Sequence, residues 1–279
     1  LIINTSYAQK PDVKDTEIII SNVAENIYFL EATGDVAGNI AVSVGPDGVL
    51  IIDDQWAELV DKIKVAIKKI DKGDLRFILN THFHDDHSDG NAALHTDKTV
   101  IIAHTNTRNR LLHKDPKHWP VITFDHQTSV HFNGEVILGV HLPSAHTDSD
   151  VVYFFKKANV VHVGDLWNSG TSTFPLADSD AGGDAIGILK AVDTLMPLIS
   201  DDDIIIPGHY GISNKKEFIK YREMLFQTIT FVVNKKMAGM SLSDIQKLDF
   251  PGEYSKWGYG YLGPNAWMEA IYNSKLLLN

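Results

Sequence analysis

Between Thr81 and Asn91 the chain reads THFHDDHSDGN, directly after the short apolar run Phe77-Ile78-Leu79. His82, His84, Asp86 and His87 therefore stand together in a polar loop at the carboxyl end of a buried strand. In an extended segment residues i and i+2 point to the same side, so His82 and His84 can share one cation. Asp86 and His87, past the turn of the chain, can face a second one. Imidazole and carboxylate are the ligands that borderline divalent metals take. The chain has no cysteine. Disulfides, cysteine-ligated zinc, iron–sulfur clusters and thiol nucleophiles are thereby excluded, and any metal has to be held by His, Asp or Glu.

The surroundings of this loop read as two halves, each with strands before helices. Glu17 to Ile20, Ile27 to Glu31, Ile40 to Val44 and Val49 to Ile52 are expected as an antiparallel meander, with reversals at Thr33-Gly34-Asp35 and Gly45-Pro46-Asp47-Gly48. Leu59, Val60, Ile63, Ala66, Ile67 and Ile70 recur at three- and four-residue spacing, one stripe of an amphipathic helix. In the second half Val151 to Phe155, Val160 to Val163 and Ile204 to Ile206 are expected as strands, and Ala185 to Ile199 as a helix. Asn214-Lys215-Lys216-Glu217 has the residue types of an N-cap with a reaching Glu, opening a long helix to about Ala238. Two sheets face to face with helices on both outer faces is the economical arrangement. Residues 1–16 are expected as an N-terminal tail and 17–279 as a single domain.

The HxHxDH pattern of His82 to His87 resembles the signature of the metallo-β-lactamase-fold hydrolases. That family's remaining ligand motifs follow in order, as Pro143-Ser144-Ala145-His146-Thr147, Val163-Gly164-Asp165-Leu166 and Pro207-Gly208-His209. The resemblance runs from about Val23 to Tyr221 and implies a four-layer αββα sandwich with metals in a shallow groove at one edge of the sheets. It also implies two Zn(2+) ions, with Fe, Mn or mixed metals as alternatives. His82, His84 and His146 would hold the first metal, Asp86, His87 and His209 the second, and Asp165 would bridge them. Asp53 matches the family's early Asp and reads either as a support of the metal loop or as a plain turn residue.

Such a pair of metals, roughly 3.5–4 Å apart, supplies hydroxide at neutral pH by lowering the pKa of a shared water. The implied activity is hydrolysis of a small ester, lactone, thioester or β-lactam-like amide. Asp86 is then expected to carry a proton as well as to bind metal. Asp165 departs from the Cys or Ser usual in known metallo-β-lactamases and resembles the bridging Asp of glyoxalase II and lactonases, so β-lactamase activity is allowed, not implied. A persulfide-dioxygenase-like oxidoreductase with a single iron shares the fold and motifs and is the alternative. Trp56 and Trp167 read as groove walls or as core, Tyr210 as a donor to a developing oxyanion, His162 as a conceivable support near Asp165, and the turn Thr33 to Gly38 as a hairpin over the groove or an inert turn.

The net charge of −11 and the lack of any basic run speak against a nucleic-acid partner and leave a small-molecule substrate. No apolar stretch approaches the roughly 20 residues that span a bilayer. Leu1 to Ala8 ends in Ser6-Tyr7-Ala8 and is similar to the tail of a secretory signal cut after Ala8, which would make the protein periplasmic or secreted.

Overall fold

The central strands are apolar on both faces, so each sheet has to be covered on two sides. The computed structural model describes residues 12–34, 36–170, 172–258 and 262–277. β1 (Ile18–Ala24), β2 (Ile27–Ala32), β3 (Ile40–Gly45) and β4 (Gly48–Ile52) form the antiparallel meander expected from the sequence. β5 (Leu75–Leu79), β6 (Val100–His104) and β7 (Ile122–Phe124) continue it in parallel, completing a 7-stranded sheet. β8 (Gln127–Phe132), β9 (Glu135–His141), β10 (Val151–Phe155), β11 (Val160–Gly164), β12 (Ile204–Pro207) and β13 (Ser213–Asn214) make a 6-stranded sheet in which only β11 and β12 run parallel.

The helices are α1 (Val60–Ile70), α2 (Asp85–Ser88), α3 (Asn91–Leu94) and α4 (Thr105–Leu111) in the first half. α5 (Ala185–Leu195), α6 (Lys215–Met237), α7 (Leu242–Ile245) and α8 (Pro264–Tyr272) follow in the second. Three apolar seams separate four layers. Leu50, Ile52 and Leu79 meet Tyr153, Phe155 and Ile206 between the sheets. Ile63 and Ile67 of α1 cover Val42, Ile51 and Ile78 on one outer face. Ile188, Phe218, Leu225 and Trp267 cover Val152, Val161 and Ile205 on the other. This is the αββα sandwich. Among the described residues no helix is long and apolar enough to cross a membrane.

Some local details differ from the sequence reading. The segment Ala57–Leu59 is a 3-10 turn, and the α-helix proper starts at Val60. Asn214 does cap α6 by accepting from Glu217 N (3.1 Å), but the Glu217 carboxylate pairs with Lys220 (2.9 Å) instead of reaching back. Of the expected tail, residues 12–16 are tied down, because Lys62 Nζ donates to the carbonyls of Val13, Lys14 and Thr16 (2.8, 2.8 and 2.6 Å). The processing site expected after Ala8 lies outside the described residues.

Asp184 joins three parts of the second half. Its carboxylate caps α5 at Ile186 N and Gly187 N (2.9 and 3.1 Å) and accepts from Ser274 Oγ (2.7 Å) and Lys275 N (2.9 Å). Its own N–H donates to Ala145 O (2.9 Å), beside His146. Asp184→Ala is expected to lower unfolding free energy by about 2 kcal/mol, the cost of a lost cap and of hydrogen bonds to a charged group. Urea unfolding should show a lower midpoint at unchanged slope.

Candidate metal centre

The ligand motifs follow the carboxyl ends of β5, β9, β11 and β12, so both sheets deliver side chains to one edge of the sandwich. His82, His84 and His146 form one group of ligand atoms within 4.8 Å of one another, and Asp86, His87 and His209 form another. His82, His87 and Asp165 meet the same limit. All seven residues singled out as ligands are thus brought together.

Hydrogen bonds on the far side of each ring fix which nitrogen faces inward. Asp53 Oδ2 accepts from Thr81 Oγ1 (2.7 Å), which leaves the Thr81 oxygen to accept from His82 Nδ1 (3.0 Å). Asp178 Oδ2 takes the His84 Nε2–H (3.0 Å), and the carbonyl of Leu176 takes the His146 Nδ1–H (2.8 Å). In the neutral tautomers that these bonds select, His82 Nε2 and His146 Nε2 turn their lone pairs toward His84 Nδ1 at 3.1 and 2.9 Å. Lone pairs at that separation repel unless a positive charge lies among them. The second group repeats the pattern. Asp53 Oδ2 accepts from His87 Nδ1 (2.8 Å), which turns His87 Nε2 toward Asp165 Oδ1 at 3.0 Å. Neither of these two buried atoms makes a hydrogen bond. The donor set therefore fits divalent cations.

Asp165 stands between the two groups. Its Oδ1 lies 3.0 Å from His87 Nε2 and 3.5 Å from His209 Nε2, and its Oδ2 lies 3.7 Å from His146 Nε2. Asp86 Oδ2 is 3.2 Å from His209 Nε2. The close approach of β12 to Asp165 requires a glycine, since a Cβ on Gly208 would sit 2.0 Å from Asp165 Oδ1. Burial, then the neighbouring His87, pushes the His82 pKa well down and keeps its lone pair available. Burial also disfavours charge on His87, yet Asp165 and Asp86 outweigh it and raise its pKa well above the usual value. Around Asp165 the burial cost is likewise outweighed by His209 and His87, which hold the carboxyl well below its usual range. The pocket thus favours added positive charge.

Of the two readings of Asp53, the support of the loop is the one built. It is buried at φ 64°, and besides Thr81 Oγ1 and His87 it accepts from Thr81 N (2.7 Å). The groove-wall reading of the tryptophans is corrected: Trp56 is 6% exposed and its Nε1 donates to Val36 O (2.7 Å), while Trp167 is 5% exposed and packs on Phe218 and Tyr221. Both belong to the apolar seams, where an indole buries more area than at a groove rim. Tyr210 is held at φ 66°, with its ring against Gly170. Of the turn expected as a hairpin, Asp35 lies outside the described residues, and Gly38 N is anchored to Asp86 O (3.0 Å). Sequence reasoning missed Thr81, Asp178 and the carbonyl of Leu176. Only the acidic type of Asp178 offered any signal.

A four-layer sandwich with His and Asp side chains converging at one edge is the architecture of a metal-dependent enzyme. A model of the metallo-beta-lactamase superfamily matches residues 33–209, and the chain belongs to that superfamily. Metallo-beta-lactamase IND-1 of Chryseobacterium indologenes is 26% identical over 203 residues, covering 71% of this chain and 83% of that protein. The stereoselective inverting sec-alkylsulfatase Pisa1 from Pseudomonas sp. superposes with a TM-score of 0.75 at 14% identity over 91% of this chain. The chain spans 50% of that sulfatase. A metallo-beta-lactamase from Pontibacter korlensis superposes with a TM-score of 0.66 at 17% identity, over 75% of this chain and 99% of its own.

Asp178→Ala removes the acceptor that orients His84. It is expected to weaken one bound cation about tenfold to about 100-fold, the usual cost of losing an outer partner of a ligand. Competition against a chromophoric chelator measures it, and unchanged affinity would show that His84 needs no such orientation.

Proposed function

We propose that the protein is a dinuclear zinc-dependent hydrolase of a small ester, lactone, thioester or β-lactam-like amide. The observation that carries this reading is the placement of Asp165, one oxygen turned toward each group of histidines. His82, His84 and His146 would hold one cation, Asp86, His87 and His209 the other, with Asp165 shared. When bound, such a pair lowers the pKa of water toward neutrality and polarises a carbonyl.

The chain's own residues do the rest. Burial disfavours charge on Asp86, but His87 and His209 outweigh it and lower its pKa to about 2, so the carboxylate is ionised at neutral pH. Asp86 accepts the proton that the attacking water gives up and passes it to the departing group. The inward nitrogens of His82, His84, His87 and His146 keep their direction because Thr81, Asp178, Asp53 and Leu176 O hold the other side of each ring. No cation occurs from Leu166 to Pro175, which favours an acyl group without a nearby acid over a glutathione thioester.

A second reading rests on His82, His87 and Asp165, whose ligand atoms converge as two histidines and one carboxylate. That set is the type that holds non-haem Fe(II) in oxygenases. The mononuclear iron reading, a persulfide-dioxygenase-like oxidoreductase, follows from it.

Elemental analysis with a substrate panel separates the two. About two zinc per chain, with chelator-sensitive turnover of a small ester, lactone, thioester or β-lactam, is the expected result. One iron with thiol-dependent oxygen uptake would replace the hydrolase by the oxidoreductase. Asp86→Asn is expected to lower kcat about 10²-fold to about 10⁴-fold with metal content largely kept. Parallel losses of metal and activity would remove its proton-carrying role.

A further inference from the structure

Apart from Asp53, which stands behind His87 and, through Thr81, behind His82, the two groups of ligands are held by different parts of the chain. Thr81, Asp178 and Leu176 O orient His82, His84 and His146. The other group takes its ligands from three separate segments: α2 for Asp86 and His87, the end of β11 for Asp165, and the end of β12 for His209. All three segments meet at Gly38 and Asn39, just before β3.

Gly38 N donates to Asp86 O (3.0 Å), and a Cβ on Gly38 would lie 2.3 Å from His87 Cε1, so the backbone lies flat on that ring. Asn39 is buried and brackets His209 from both sides. Its N–H donates to Gly208 O (2.7 Å), and its Nδ2 donates to Pro207 O (2.9 Å) and to Tyr210 O (2.7 Å). From the remaining side, Asn39 O accepts from His162 Nε2 (3.1 Å), whose Nδ1 accepts from Gly164 N (3.2 Å), the residue before Asp165. Gln55 Nε2 donates to Gly38 O (2.6 Å) and holds the pair in place.

Only an amide at position 39 can serve both carbonyls. One planar NH₂ has two donors for two acceptors, whereas Asp has none when ionised and Ala has none at all. These contacts fix where His209 stands relative to Asp86 and Asp165, and none of them touches His82, His84 or His146. From this we infer that Gly38 and Asn39 form a positioning strap for one cation of the pair. Asn39 is the positioning residue for His209, and the strap controls whether that second cation stays bound. The inference rests on the two-cation reading above.

Stepwise Zn(2+) titration of the metal-free chain against a competing chelator tests it, with wild type, Asn39→Ala, Asn39→Asp and Asp178→Ala compared. Wild type is expected to bind in two steps. Both Asn39 variants should lose about tenfold to about 100-fold in one step only, and Asp178→Ala should weaken the other, which tells the steps apart. Circular dichroism and thermal melting of the metal-free variants monitor folding. Equal weakening of both steps, no weakening of either, or failure of both Asn39 variants to fold overturns the strap, because the residue would then serve the whole sandwich or nothing. A wild-type chain that binds a single cation overturns the two-cation reading itself, and that result is read before any substitution is made.

Discussion

Imidazole nitrogens and a carboxylate oxygen crowd into one small buried volume, and the rest of the structure is arranged around that fact. His84 Nδ1 lies 3.1 and 2.9 Å from two other imidazole nitrogens, and His87 Nε2 lies 3.0 Å from Asp165 Oδ1. In a buried setting such lone pairs are costly to hold together without positive charge. What keeps them there is the ring of acceptors behind them. Because Asp53 supports both His87 and, through Thr81, His82, one carboxylate coordinates the orientation of ligands on two groups.

The sandwich makes this affordable. Leu50, Ile52, Leu79, Tyr153, Phe155 and Ile206 fasten the two sheets face to face, so loops at their shared edge are held from beneath. Close approach does the rest: Gly208 lets the end of β12 come against Asp165, and Asn39 crosses from the first sheet to the second with three donated hydrogen bonds. Ligands separated by more than a hundred residues can then act as one site, pre-arranged before a cation arrives.

The four layers were legible in the order of strands and helices, and the cluster from His82 to His87 in its spacing after a buried strand, whereas His146, Asp165 and His209 were reached through the resemblance to the metallo-β-lactamase-fold hydrolases. In that loop several imidazoles and a carboxylate stand within six residues after the apolar run Phe77-Ile78-Leu79. The partners behind them were not legible, because Asp178 and Thr81 are ordinary residues of loops and the acceptor for His146 is the main chain of Leu176. Nothing local marks a carbonyl as a ligand's partner. Trp56 and Trp167 went the other way: an aromatic residue beside a ligand reads equally as rim or seam, and only the packing of Trp167 on Phe218 and Tyr221 decides. His162, which the sequence offered as a support near Asp165, reaches across the sheets to Asn39, a partner that nothing in its own strand announces.

The most direct measurement is a crystal structure of the zinc-soaked protein with anomalous difference maps at the zinc edge. The account expects two peaks, about 3.5–4 Å apart, one among His82, His84 and His146 and one among Asp86, His87 and His209, with Asp165 touching both. A single peak, or strong peaks away from these side chains, would contradict it.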